Sequence, residues 1–163
     1  MFTIRKAEIR DLLAITEIYN QAVLHTTATF DTAGKTVEEQ RVWFDQHGPK
    51  YPILVAQEGD LIVGWASMSE WSDRCAYSIT AEVSVYIREG HMHLGLGRKL
   101  SVAILKAGKA AGLHTAIARI ATENAVSIKL AKSLGYKDIG VMKEVGKKFG
   151  RLLDVTMMQI MFR

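Results

Sequence analysis

Residues 83–111 read VSVYIREGHMHLGLGRKLSVAILKAGKAA, and this stretch decides the fold. Val83, Val85 and Ile87 are β-branched and alternate with Ser84 and Tyr86, as in a strand with two unlike faces. Leu100, Ala103, Ile104, Ala107 and Ala111 recur at helical spacing, and Gly112 is a fitting stop. Between strand and helix lies a glycine-rich turn, Gly90 to Gly97. Successive backbone N–H groups in such a turn point outward, and the helix adds its positive end, so phosphate or pyrophosphate is one natural occupant. Gly95 and Gly97 carry no Cβ to block a close approach. An ordinary tight turn into a helix is the other reading of the same residues. A dinucleotide-binding fingerprint is disfavoured, because no third glycine follows at the required spacing and Ser101 already lies inside the helix.

Working outward, the spacing predicts further elements. Phe2, Ile4 and Ala7 suggest a first strand, and Leu12, Ile15, Ile18, Tyr19 and Ala22 a helix from Asp11 to about Val23. Thr36 and Glu39 form a capping box ahead of a second helix with Val42, Trp43 and Phe44 on its apolar side. Ile53–Ala56 and Leu61–Met68 flank the turn residues Glu58-Gly59-Asp60 and read as a hairpin. A polar loop from about Glu70 to Tyr77 leads into the strand Ala81–Ile87, which places Glu82, Ser84 and Tyr86 on one side. Downstream come a strand at Ala116–Ala121, a helix opened by Asn124 and stopped by Gly135, and two strands, Tyr136 to about Val145 and Leu152–Phe162. The order β-α-α-β-β-β-α-β-α-β-β indicates a mixed sheet with helices on both faces.

Composition sets the bounds. The chain has 163 residues, 48% hydrophobic and 23% charged, ordinary for a globular protein. No linker or repeat divides it, so one domain over residues 1–163 is expected. A lone cysteine, Cys75, excludes an internal disulfide framework and a thiolate zinc cluster, and no metal is expected. No apolar run is long enough to span a membrane, and charges interrupt the N-terminal segment, so a cytoplasmic protein is expected. The formal charge of +4 is scattered and lacks an aromatic-basic motif, which argues against nucleic acid as partner.

Several motifs together carry a resemblance. Val85-Tyr86-Ile87, Leu94-Gly95-Leu96-Gly97-Arg98, Asn124-Ala125-Val126-Ser127 and Leu134-Gly135-Tyr136 resemble the GNAT superfamily of acyl-CoA N-acyltransferases. Arg74-x-Ala76-Tyr77-x-x-Thr80-Ala81-Glu82, the stretch from Ile18 to Phe30, and the tail Gly146-Lys147-Lys148-Phe149-Gly150-Arg151 are similar to the phosphinothricin and methionine sulfoximine N-acetyltransferases. The resemblance implies a single α/β domain with a seven-stranded, mostly antiparallel mixed sheet. It implies acetyl-CoA as co-substrate, a small amino acid as acceptor and a homodimer. Val85, Tyr86 and Ile87 would meet the pantetheine arm, residues His93, Leu94, Gly95, Leu96, Gly97 and Arg98 the pyrophosphate, and Asn124 and Ser127 the arm again. Asn124 equally suits a plain helix N-cap. Phe30, Arg74, Cys75, Ala76, Tyr77, Thr80, Lys148 and Phe149 would form the acceptor site, with Trp71 as a further wall.

The chemistry can also be argued from the residues. An amine attacks a thioester only as the free base, so a proton acceptor is needed. Glu82, beside the sheet opening and partly desolvated, is the candidate general base, with a strand carboxylate paired to a lysine as the alternative. The resemblance implies that the backbone N–H of Val85 or its neighbour donates to the oxyanion. Arg74 has the planar fork that suits a carboxylate or phosphinate. Met92 stands where the phosphate loop usually begins with Arg or Gln, and Ala131 where many superfamily members place a tyrosine acid. Those departures keep open a CoA-binding module without turnover, and the mixed charges of Glu70, Asp73 and Arg74 keep open another acceptor amine, a polyamine, an aminoglycoside or a protein N-terminus.

Overall fold

The computed structural model describes residues 1–163. Its strands are β1 (Thr3–Lys6), β2 (Ile53–Glu58), β3 (Leu61–Glu70), β4 (Thr80–Ile87), β5 (Thr115–Ala121), β6 (Lys137–Lys148) and β7 (Arg151–Met161). Its helices are α1 (Leu12–His25), α2 (Val37–Asp45), α3 (Leu96–Ala110) and α4 (Ala125–Ser133). The seven strands form one sheet in the order β1-β2-β3-β4-β5-β7-β6. Every neighbouring pair is antiparallel except β4 and β5. Element order and sheet class agree with the sequence reading. No helix is long and apolar enough to cross a membrane.

Local chemistry accounts for the elements. Thr36 accepts from the Glu39 amide at 3.1 Å while the Glu39 carboxylate accepts from the Thr36 amide at 2.9 Å, so the expected capping box opens α2. Gly95 caps α3 in the left-handed conformation at φ 76°, which an L side chain would strain. Before α1, a short 3-10 turn at Ile9–Asp11 is pinned by Arg5, which donates to both oxygens of the buried Asp11 at 2.7 and 2.8 Å.

The apolar stripes face the sheet from both sides. Leu96, Leu100 and Ile104 of α3 pack with Val63, Met68, Ala81 and Ala116 on one face. Ile15 and Ile18 of α1 pack with Val55, Ile62 and Trp65 on the other. A smaller cluster of Ala118, Ala131, Tyr136 and Met158 lies beneath α4.

The last hairpin runs further than its sequence pattern suggests. β6 continues past Val145 to Lys148, because a bulge breaks its alternation between Met142 and Gly146. Glu144 sits there at φ 49°, and its amide donates to Asp154 at 2.7 Å. Phe149 and Gly150 both have positive φ and make the tight turn into β7.

Candidate active site

The parallel pair decides where a ligand can enter. β4 and β5 are joined at Thr80–Thr115, Ala81–Ala116 and Glu82–Ile117, and the pairing stops there. Beyond it, Val83–Ile87 are paired on the β3 side alone. The Arg88 amide donates to the Val63 carbonyl at 2.9 Å, so by alternation Tyr86 and Ser84 also face β3. The N–H and C=O groups of Val83, Val85 and Ile87 therefore face the opening, and such groups need a partner from water or a ligand.

A cavity of about 640 Å³ occupies this opening. Val83 to Ile87 line one wall, Ala118 to Ala121 the other, and Gly97, Ser101, Asn124 and Ser127 reach it from α3 and α4. At one end the first turn of α3 has no side-chain cap, and the Lys99 amide bonds back to Gly95 at 3.2 Å. The four amides from Gly95 to Arg98 precede the first intrahelical bond and remain donors for an anion. His93 adds a positive φ of 66° to this turn, and the Leu96 side chain is buried in the core. Leu94 and Met92 are exposed. Arg98, expected at the pyrophosphate, donates instead to Ser133 at 2.8 Å, and the neighbouring Lys99 lies over the Phe2 ring at 4.9 Å.

Asn124 fulfils its capping role and keeps a free group. Its Oδ1 accepts from the Ser127 amide at 3.2 Å, while its Nδ2 has no bond within the chain and the residue lines the cavity. Nearby, Arg151 holds Glu123 at 2.8 and 3.2 Å, and Thr27 donates to Glu123 at 2.8 Å, tying the segment after α1 to β7.

At the other end stands Glu82, three-quarters buried, on the α1 side of the sheet with Ser84 and Tyr86. Its carboxylate is paired: Arg119 Nε donates to Oε2 at 2.5 Å and Nη2 to Oε1 at 2.8 Å. These bonds push the guanidinium further above its ordinary pKa, against the opposing effect of burial. The Trp71 ring lies 5.5 Å from Arg119, a cation–π contact. The sequence reading named Trp71 but missed Arg119, whose signal was a single charge in the otherwise apolar run Ala116–Ala121.

Phe30 is the expected acceptor residue that lines the cavity. Its ring lies where a Cβ on Gly146 would stand, 2.4 Å from the nearest ring carbon, so the glycine lets strand and ring meet. The segment carrying Phe30 is tightly held. Tyr19 donates to Asp31 and lies 3.0 Å from the Thr29 hydroxyl, and Lys148 donates to the Thr29 carbonyl at 2.7 Å. Burial pushes the Tyr19 phenol up and lowers Lys148 from its ordinary range. Lys148 thus reaches the site as a clamp on its wall. Tyr86 packs edge-on against Tyr19 at 5.3 Å, and burial pushes its phenol up to about 12.

Other expected acceptor residues stand outside the lining. Arg74, Cys75, Ala76 and Tyr77 form an exposed turn, Thr80 is buried within the sheet, and Phe149 is exposed at the hairpin tip. Tyr136 was quoted only as part of a motif, yet it lines the cavity beside Ala131, buried, with no hydrogen bond to its hydroxyl. Burial raises its pKa.

Comparison with known proteins gives a consistent result. Residues 4–157 match the family described as the acetyltransferase (GNAT) domain. The chain is 40% identical over 159 residues, 97% of its length and 93% of the relative's, to the L-methionine sulfoximine/L-methionine sulfone acetyltransferase of Salmonella typhimurium. Among solved structures it is similar to an acetyltransferase from Salmonella typhimurium in complex with its cofactor acetyl-CoA, at 39% identity and a TM-score of 0.96, covering 100% of this chain and 95% of that one. It is similar also to a phosphinothricin acetyltransferase from Sinorhizobium meliloti in complex with acetyl-CoA, at 33% identity and a TM-score of 0.94, covering 98% and 88%.

Proposed function

The chain belongs to the GNAT acetyltransferase family, and from that premise we propose that it moves an acetyl group from acetyl-CoA to the α-amino group of a small amino acid or analogue of the methionine sulfoximine and phosphinothricin type. The observation that carries this is the opening beyond Glu82 and Ile117, which joins an unpaired strand edge to an uncapped helix start and to a carboxylate.

The residues fit the coenzyme by chemistry. Val85 and Ile87 offer peptide groups to the amides of a pantetheine arm, and Asn124 offers its free Nδ2. The amides from Gly95 to Arg98 suit the pyrophosphate. Glu82 takes the proton of the bound ammonium to give the free amine; the amine nitrogen then bonds to the carbonyl carbon as the C–S bond breaks, its second proton going to water and the coenzyme departing as thiolate. Each Glu82 oxygen accepts one bond from Arg119 and retains a further lone-pair site for the acceptor amine. The Val85 amide, aimed into the opening, is the donor for the oxyanion.

An amino acid acceptor is favoured over a polycation by the charges of the lining. Asp31 has Lys35 at 3.9 Å and Glu82 is paired with Arg119, so neither carboxylate is left as a lone counter-charge. A second copy of the chain is expected at the β6–β7 edge, where Ile139, Val141, Phe149 and Leu152 are exposed. The experiment is a panel of acceptors with acetyl-CoA, read by thiol release. Turnover with methionine sulfoximine or phosphinothricin is expected; turnover with spermidine and none with any α-amino acid would contradict the assignment.

A further inference from the structure

We propose that Arg119 is the carboxylate receptor for the acceptor, so that the Glu82–Arg119 pair reads both charges of an α-amino acid at once. The inference rests on the acceptor class proposed above and assigns to Arg119 the grip expected of Arg74. Three charged residues line the cavity, Asp31, Glu82 and Arg119, and Arg119 is the one cation among them. Arg74 lies in the exposed turn outside that lining.

The geometry of the pair leaves room for a ligand. A guanidinium has two edges that can each hold a carboxylate, one formed by Nε and an Nη, the other by the two Nη atoms. Glu82 occupies the Nε–Nη2 edge, and Nη1 has no hydrogen bond in the chain. The Trp71 ring centroid lies 5.5 Å from the guanidinium carbon, and no Trp71 atom hydrogen-bonds to the group. With 52% of the Arg119 side chain exposed, the free edge is within reach of solvent and solute.

An α-amino acid places its ammonium and carboxylate on one carbon. Its carboxylate fits the open edge of Arg119, and its ammonium then falls beside Glu82, the group that must take the proton. The pair is neutral and so is the zwitterion, so binding leaves no charge unmatched. An amine without a carboxylate would leave the open edge empty. An amino acid amide would present a neutral oxygen there, a weaker acceptor than a carboxylate.

The test compares L-methionine sulfoximine with its α-carboxamide, using acetyl-CoA, in wild type, Arg119→Gln and Arg119→Lys. The wild type is expected to prefer the free acid by at least about 10-fold in kcat/KM, the scale of a hydrogen bond to a charged group. In Arg119→Gln the acceptor KM rises about 10–100-fold for the acid alone, the preference collapses, and the KM for acetyl-CoA stays put. Arg119→Lys, which keeps the charge, recovers part of the preference. An undiminished preference in Arg119→Gln would overturn the proposal. So would an equal loss of kcat on both acceptors with KM unmoved, the result of Arg119 merely positioning Glu82. If the wild type acetylates neither compound but does acetylate spermidine, the acceptor class itself falls, and this inference with it.

Discussion

Glu82 and Ile117 are the last residues paired across the two parallel strands, and past them β4 and β5 part. The break puts a carboxylate at the point where a strand edge loses its partner. Entry of the thioester from one side and of the amine from the other would meet there.

Replacing Glu82 by Gln keeps the shape and removes the proposed proton acceptor. Turnover is expected to fall by roughly 10²–10⁴-fold, the usual contribution of a general base. The KM for acetyl-CoA should not move, because the proposed coenzyme contacts are the backbone edge and the α3 turn. Initial-rate kinetics over both substrates check this, and a variant with the wild-type rate would remove Glu82 from the role.

Gly146→Ala tests the wall on the acceptor side. An added Cβ would stand 2.4 Å from the Phe30 ring, so the ring must move. Overpacking of this kind costs about 1–3 kcal/mol. The acceptor KM is expected to rise several-fold with the acetyl-CoA KM unchanged. Combining Gly146→Ala with Phe30→Leu frees space and should recover stability in thermal melts; a double variant no more stable than Gly146→Ala would argue against that contact.

A pH effect on stability is expected at His47. Its Nδ1 lies 2.7 Å from the Trp43 carbonyl and its Nε2 2.9 Å from the Ser69 hydroxyl. Burial holds its pKa below the ordinary value, opposed in part by the Trp43 carbonyl. Between the folded and unfolded pKa values the unfolded chain binds more protons, so stability rises with pH through that window. The contribution is complete above about pH 6.5, the ordinary histidine value, and is lost as pH falls toward the folded value. Melting temperatures from about pH 5 to 7.5 should slope upward for wild type and less steeply for His47→Gln. Equal slopes would rule His47 out as the source.

The fold was legible because its signals are local. The Thr36–Glu39 box, the Gly95 turn and the Asn124 cap each lie within a few residues of the element that they open. Less could be read of the site, since its side chains meet over long separations. Arg119 reaches Glu82 across 37 positions, and Lys148 reaches Thr29 across 119. Nothing near Lys148 in sequence reveals that its ammonium is spent on a carbonyl. Tyr19 likewise sits in the apolar stripe of α1, and only the packed chain brings its hydroxyl to Thr29 and Asp31. The Glu144 bulge hid the end of β6, because a strand read by alternation ends where alternation fails.

The most direct measurement is an isothermal titration of the wild-type protein with acetyl-CoA, paired with the same titration of Gly95→Val. A valine at φ 76° disfavours the turn that presents the α3 amides, while the opening between the strands is left as it was. Saturable heat for the wild type, together with at least about 10-fold weaker binding by a folded Gly95→Val, is the predicted result. No heat and no thermal upshift with acetyl-CoA for the wild type would contradict the account at its base.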